Sequence, residues 1–290
     1  ALWGVLKMKM RSWTRKYNIM VAELRGLESV KRFTGPTVEI DANAERAIHS
    51  FVPQSEEDNG PKEFTIAKLS TPLSLEKENA WQKLPPLMIP GKGTGESAVV
   101  KMAYTRDALF IEYKVVDRSP WKNEGKDFRR LFKTGDGVDL QISALDKEGR
   151  PNPAAGDSRL FFSQLGDEPT AILMRPIDKV STPSLSHTYD SSVGPKTFDR
   201  VEVRDDVEIL AHKTPEGYLL RAEVPWTLLN ITPEPGMTLY GDVGFISSDQ
   251  SGQINLDRTY WSNPQTGLVS DEPLEAWFIP QNWGTFTLEK

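Results

Sequence analysis

The 290 residues contain no cysteine, which excludes disulfide scaffolds, Cys-zinc sites, thiol catalysis and Cys-attached haem. Histidine occurs only three times, at His49, His187 and His212, too few for a multi-histidine metal centre. A basic excess is missing as well. Lys and Arg number 35 against 41 Asp and Glu, a formal net charge of −6, whereas a nucleic-acid binder usually carries a basic face. No segment approaches the roughly 18 consecutive apolar residues of a spanning helix. No Gly-x-Ser-x-Gly nucleophile elbow occurs. The glycine-rich run Gly91-Lys92-Gly93-Thr94-Gly95 lacks phosphate-loop spacing and precedes a strand pattern rather than a helix.

What remains is a chain with 38% hydrophobic residues and a mean hydropathy of −0.46, enough to bury a core and too polar for a membrane protein. Its length fits one large domain with an appendage. The apolar start Ala1-Leu2-Trp3-Gly4-Val5-Leu6 is followed by Lys7, Lys9, Arg11, Arg15 and Lys16, the reverse of the charge order in a signal peptide. A first residue of Ala rather than Met suggests a piece of something longer, so the absence of targeting information means little.

Residues 1–62 read as an N-terminal appendage of mixed structure, with a strand over 17–24 and a short helix over 42–51. It ends in the polar, proline-bracketed linker Pro53 to Pro61. From residue 63 to 290 the pattern changes to short strands punctuated by Pro and Gly. Val100, Met102 and Tyr104 alternate with Lys101 and Ala103. Leu109 to Val116 carries polar Glu112 and Lys114 on one face, and Gly137 to Ser143 repeats strictly with period two. Further strands are expected over 159–164, 207–213, 218–224, 240–248 and 284–288, with one helical turn at Trp226 to Leu229. About eight strands with no long amphipathic helix give an all-β fold, an antiparallel, jelly-roll-like β-sandwich.

Two residue classes could carry chemistry. Carboxylates such as Asp117, Asp136, Asp139, Asp157, Glu223, Asp242, Asp249 and Asp257 could supply a glycosidase pair, or hard oxygen ligands for a structural calcium in the loops 136–139 and 242–249, although no EF-hand spacing is present. A surface role is the simpler reading of each. Aromatics are more informative. Trp121, Trp261, Trp277 and Trp283 stand beside Pro, Gly or charged residues rather than in strand interiors. A partly exposed indole with placed polar groups suits the C–H face of a sugar ring; the alternative is that these rings plug the sandwich core.

The order of motifs from Trp81 onward resembles carbohydrate-binding module family 9. The matching segments are Ala80-Trp81, Ala108 to Asp117, Gly135-Asp136-Gly137-Val138-Asp139, Gly217-Tyr218 through Val224-Pro225-Trp226, Gly241 to Asp249, Thr259-Tyr260-Trp261-Ser262 and Trp283-Gly284 to Leu288. The resemblance implies a sugar clamped between two aromatic residues. One falls just before Asp136, where this chain has Phe132; the other is Trp277, six residues before Trp283. It implies that Asp139 stands where the family has Glu, that Arg159 matches an Arg on the following strand, and that apolar Ile246 replaces a polar glutamine. Alternation separately puts Asp139 and Gln141 on the face opposite Val138, Leu140 and Ile142.

The leading expectation is therefore a non-catalytic carbohydrate-binding module of a larger secreted polysaccharide-processing or surface protein. Its ligand residues would be Phe132, Asp139, Arg159 and Trp277, and its partners a glycan or oligosaccharide end and other domains of the parent protein. Its place would be extracellular, periplasmic or at the cell surface, with no nucleic acid, no membrane span and no certain cofactor, a structural calcium staying an open option. A related sandwich holding b-type haem needs axial ligands, for which Met102, Met174 and His187 are candidates. A structural module without ligand and a self-sufficient glycoside hydrolase complete the alternatives.

Overall fold

The structure, a computed structural model, describes residue 60 and residues 62–91, 95–119, 121–192, 194–263 and 271–290. The strand and helix expected over 17–24 and 42–51 lie outside these.

Two packed sheets make the fold. One runs in the order β10 (Arg200–Val203), β7 (Glu168–Arg175), β6 (Ser158–Leu165), β5 (Gly137–Ser143), β13 (Thr238–Ser248), β15 (Gly284–Leu288), with β14 (Asn255–Tyr260) paired to the end of β13. The other contains β3 (Ser97–Tyr104), β4 (Ala108–Val116), β12 (Gly217–Pro225) and β11 (Glu208–Thr214), with β2 (Leu87–Pro90) on the edge of β3. The strand β1 (Glu63–Lys68) joins them: its first four residues pair with β15 and its last two with β3. Among the described residues every pairing is antiparallel except these two, which are parallel. A strand that changes sheets part-way is how the corner of a sandwich is turned.

The all-β sandwich expected from alternation is thus present, and the helical turn at Trp226–Leu229 (α2) forms where Pro225 ends β12. Asn230 closes it in the left-handed region at φ 55°, a conformation that Asn tolerates better than most residues. Val138, Leu140 and Ile142 of β5, with Leu160, Phe162, Val243 and Phe245, meet Val100, Met102, Ile111, Tyr113 and Leu220 of the opposite sheet in the main core. Two tyrosines cross that core. Tyr113 donates its hydroxyl to the Asp139 carbonyl at 2.7 Å, and Tyr218 reaches the Gly137 carbonyl at 3.4 Å. Burial pushes both phenols well above their ordinary pKa, so they stay neutral donors between the layers.

Each sheet is covered on its outer side too. On the second sheet, α1 (Glu78–Trp81) seats Trp81 against Ala103, Ala108 and Phe110. Beneath it lies Arg221, which binds Glu112 at 2.7 Å, Glu78 and the Leu75 carbonyl. The carboxylate partners of Arg221 are therefore Glu112 on the adjacent strand and Glu78 of α1. On the first sheet the covering layer consists of a 3-10 turn at Phe128–Lys133, a hairpin of β8 (His187–Tyr189) and β9 (Lys196–Phe198), the helix α3 (Glu272–Ala276) and the segment after it. Period two in β5 promises a half-buried strand, yet every residue from Gly137 to Ser143 is buried, because this extra layer lies over its polar face. Among the described residues no helix is long and apolar enough to cross a membrane.

Candidate functional site

Asp139 and Arg159 lie on the outer face of the first sheet, on adjacent strands and one pleat apart, since Gln141 is the direct partner of Arg159. The guanidinium Nε stands 3.0 and 2.9 Å from the two carboxylate oxygens, and a terminal nitrogen donates to Oδ2 at 2.6 Å. Both side chains are completely buried. Tyr260 also donates its hydroxyl to Asp139, and Arg258 donates to that tyrosine at 2.9 Å. Burial works against the charged guanidinium, but the Asp139 carboxylate outweighs it and raises the Arg159 pKa. Burial beside Asp139 holds the Tyr260 phenol up at about 12. A desolvated ion pair survives only when its remaining donors and acceptors are used, and here they are.

The second terminal nitrogen of Arg159 shows what the pair does. It donates to the carbonyls of Glu275 and Ala276 at 2.9 and 2.8 Å, the two residues immediately before Trp277. Asp271 caps α3 by accepting from the Leu274 amide at 3.1 Å, Lys133 binds Glu275 at 2.6 Å, and Arg130 binds Glu272 at 2.6 Å. The segment that carries Trp277 is therefore fixed from below by Arg159 and from the side by the 3-10 turn.

Among the four expected ligand residues, Trp277 alone retains an accessible surface; Phe132, Asp139 and Arg159 are all at most 1% exposed. Phe132 lies under the Arg159 guanidinium, 5.2 Å from its centroid. Nor do the two rings face one another across open space. Phe132 touches Tyr189 edge-on at 5.5 Å, Tyr189 touches Phe198 at 5.5 Å, and Phe198 touches Trp277 at 5.6 Å. Two rings of the β8–β9 hairpin thus link the expected pair. In this arrangement Phe132, Asp139 and Arg159 lie sealed beneath the covering layer. Ile246 is buried in the same cluster, apolar where its surroundings are apolar.

The remaining loop tryptophans separate by burial. Trp121 and Trp283 are core residues, and Trp283 donates its indole N–H to Gln141 at 2.8 Å. Trp261 is partly buried but lies flat against Phe286 at 5.4 Å. The lysine of β9, Lys196, was not singled out by sequence; its ammonium sits 4.4 Å from the Trp277 ring centre.

The oxygen-rich loops are occupied internally. Asp242 accepts from the amides of Val243, Ser262 and Asn263, and Asp249 from those of Gln253 and Ile254 and the Ser251 hydroxyl. Among the described residues no group of three or more His, Asp or Glu converges as a metal site. Of the haem candidates, Met102 belongs to the core between the sheets and Met174 to the cluster on the far side of the first sheet, while His187 packs edge-on against Tyr189 of that cluster. A groove of about 330 Å³ on the second sheet is lined by Glu78, Lys114, Thr214, Pro215, Glu216 and Leu219. It offers no aromatic ring.

No protein-family model and no curated protein matches the chain. Solved structures do. A carbohydrate binding module family 9 from Caldicellulosiruptor kristjanssonii, seen in complex with cellotriose and with glucose, superposes with a TM-score of 0.53 at 13% identity. The match covers 79% of this chain and 94% and 96% of those chains. The fold is that of a family 9 carbohydrate-binding module. At this identity the likeness speaks for the fold alone.

Proposed function

We propose that residues 63–290 are a non-catalytic carbohydrate-binding module that holds a sugar by stacking on Trp277. The observation that carries this reading is the partly exposed indole on a segment fixed by a fully buried ion pair. A contact surface is useful for recognition when its own rotamer and backbone are already ordered, because less entropy is then lost on binding. Asp139 and Arg159 serve as positioning residues beneath Trp277, and Phe132 as the ring on which Arg159 rests. The module belongs to a larger secreted polysaccharide-processing or surface protein, and works outside the cell, in the periplasm or at the cell surface. Residues 1–62 are either an N-terminal extension or the remnant of a preceding domain plus its linker.

Affinity electrophoresis of the full chain through gels containing soluble polysaccharides tests this, repeated after EDTA treatment to ask about calcium. Retardation by at least one glycan, lost in Trp277→Ala while the thermal midpoint stays within a few degrees, is the expected result. Unfolding of that variant would make Trp277 a core plug. Retention of all wild-type retardation would place the sugar elsewhere. A structural module without ligand is favoured by one observation, the seating of Tyr189 and Phe198 between the two expected clamp rings, and it predicts no retardation by any glycan.

A further inference from the structure

Lys196 and Phe198 alternate with Thr197 on β9, so both project toward Trp277. Phe198 supplies a ring edge, and Lys196 lays its ammonium over the indole. The charges around this pair are unequal in a specific way. Each carboxylate on the Trp277 segment already has a partner: Asp271 accepts from the Leu274 amide and the Ser191 hydroxyl, Glu272 binds Arg130, and Glu275 binds Lys133. Lys196, by contrast, has no carboxylate within ion-pair distance among the described residues. Its ammonium instead rests over the Trp277 ring.

We propose that Trp277 and Lys196 together form a subsite for an acidic sugar unit, one bearing a carboxylate. This rests on the reading of Trp277 as a sugar platform and adds the class of sugar. A neutral ring can reach the indole face that Lys196 covers only by displacing the ammonium, which loses its contact with the π face and gains nothing ionic. A uronate draws the ammonium aside onto its own carboxylate in a charge-assisted hydrogen bond, and so frees the face for C–H contact. The formal charge of −6 over the whole chain does not oppose this, because beyond the Debye length of about 8 Å in physiological salt the exposed charges are largely screened. The groups at the rim decide.

The test uses the full chain and short oligomers of three uronates that differ in stereochemistry, each with its methyl ester, and cellotriose as a neutral probe. Binding is followed by tryptophan fluorescence, with Trp277→Ala as the blank. At least one acidic oligomer should bind about fivefold more tightly than its ester, and high salt should abolish the difference. Lys196→Gln should remove the preference and leave ester affinity unweakened. Equal affinity for acid and ester in all three pairs overturns the inference, as does a Lys196→Gln variant that weakens both alike. If cellotriose binds at Trp277 and no uronate binds better, the platform stands and only the acidic preference falls. If no probe perturbs Trp277, both fall.

Discussion

Arg159 grips Asp139 through three contacts of 2.6, 2.9 and 3.0 Å, and the same guanidinium reaches on to the backbone that presents Trp277. One buried cation therefore links the middle of a sheet to the single candidate ligand residue with accessible surface. Removing either partner leaves the other charged and unsolvated. Asp139→Ala or Arg159→Ala should each destabilise the chain by roughly 3–5 kcal/mol, read as a shift of the urea midpoint. The double replacement Asp139→Leu with Arg159→Met should recover part of that loss in stability, because neither member of the pair is left alone, while buried Arg258, 4.0 Å from Asp139, still loses its carboxylate neighbour. It should still fail to order the turn before Trp277, which hydrogen exchange at the Trp277 amide would report. A double variant as unstable as the worse single one would refute this account.

The β8–β9 hairpin is joined to the rest of the fold by rings rather than by ladder hydrogen bonds, since its two strands pair only with each other. Phe198 is fully buried against Tyr189 and Trp277. Replacing it with Ala should cost roughly 3–5 kcal/mol, the usual range for a buried Phe, and should bare one side of Trp277. Acrylamide quenching of the Trp277 contribution, taken as the difference between each chain and its Trp277→Phe counterpart, should rise. Unchanged quenching would show that the hairpin does not cover the indole.

Most of the sandwich was legible because its main strands bury one face against the other sheet, and a buried face writes itself as alternation. Val138, Leu140 and Ile142 are the clearest case. The covering layer left no such mark. It is assembled from single rings on short, unrelated segments (Phe132, Tyr189, Phe198, Phe278), and elements of three residues such as β8 and β9 are too brief to show a period. Hence Asp139 read as a polar residue on an open face, although burial with Arg159 satisfies it completely. The parallel closure of β1 onto β15 joins the first and last described strands of the sequence, a pairing that local pattern cannot announce. The ladder does explain one loop residue in retrospect: Gln141 on the polar face needs a donor, and Trp283 supplies it.

Two buried carboxyls set the response to pH. Burial, with the nearby Asp117 carboxylate, raises Asp136 to about 7 in spite of hydrogen bonds from Ser248 and the Lys122 amide. Burial alone raises Asp242 to about 7 against the amides that bind it. In the unfolded chain both have the ordinary aspartate value of about 3.9. Between roughly pH 4 and pH 7 the folded state therefore holds more protons than the unfolded state, and stability falls as pH rises through that window. The acids paired with arginine, buried Asp178, half-buried Glu202 and exposed Asp206, are shifted down; their contribution is lost only as pH drops below the ordinary carboxylate range, so it does not cancel the trend. The chain should be more stable at pH 5 than at pH 8 by about 1 kcal/mol or more, which corresponds to a thermal midpoint about 2–4 °C higher at pH 5. The Asp136→Asn and Asp242→Asn double variant should flatten this difference even if it lowers the midpoint at both pH values. A wild-type chain that is more stable at pH 8, or a double variant with an undiminished slope, would mean that these two carboxyls are ionised in the folded protein at neutral pH.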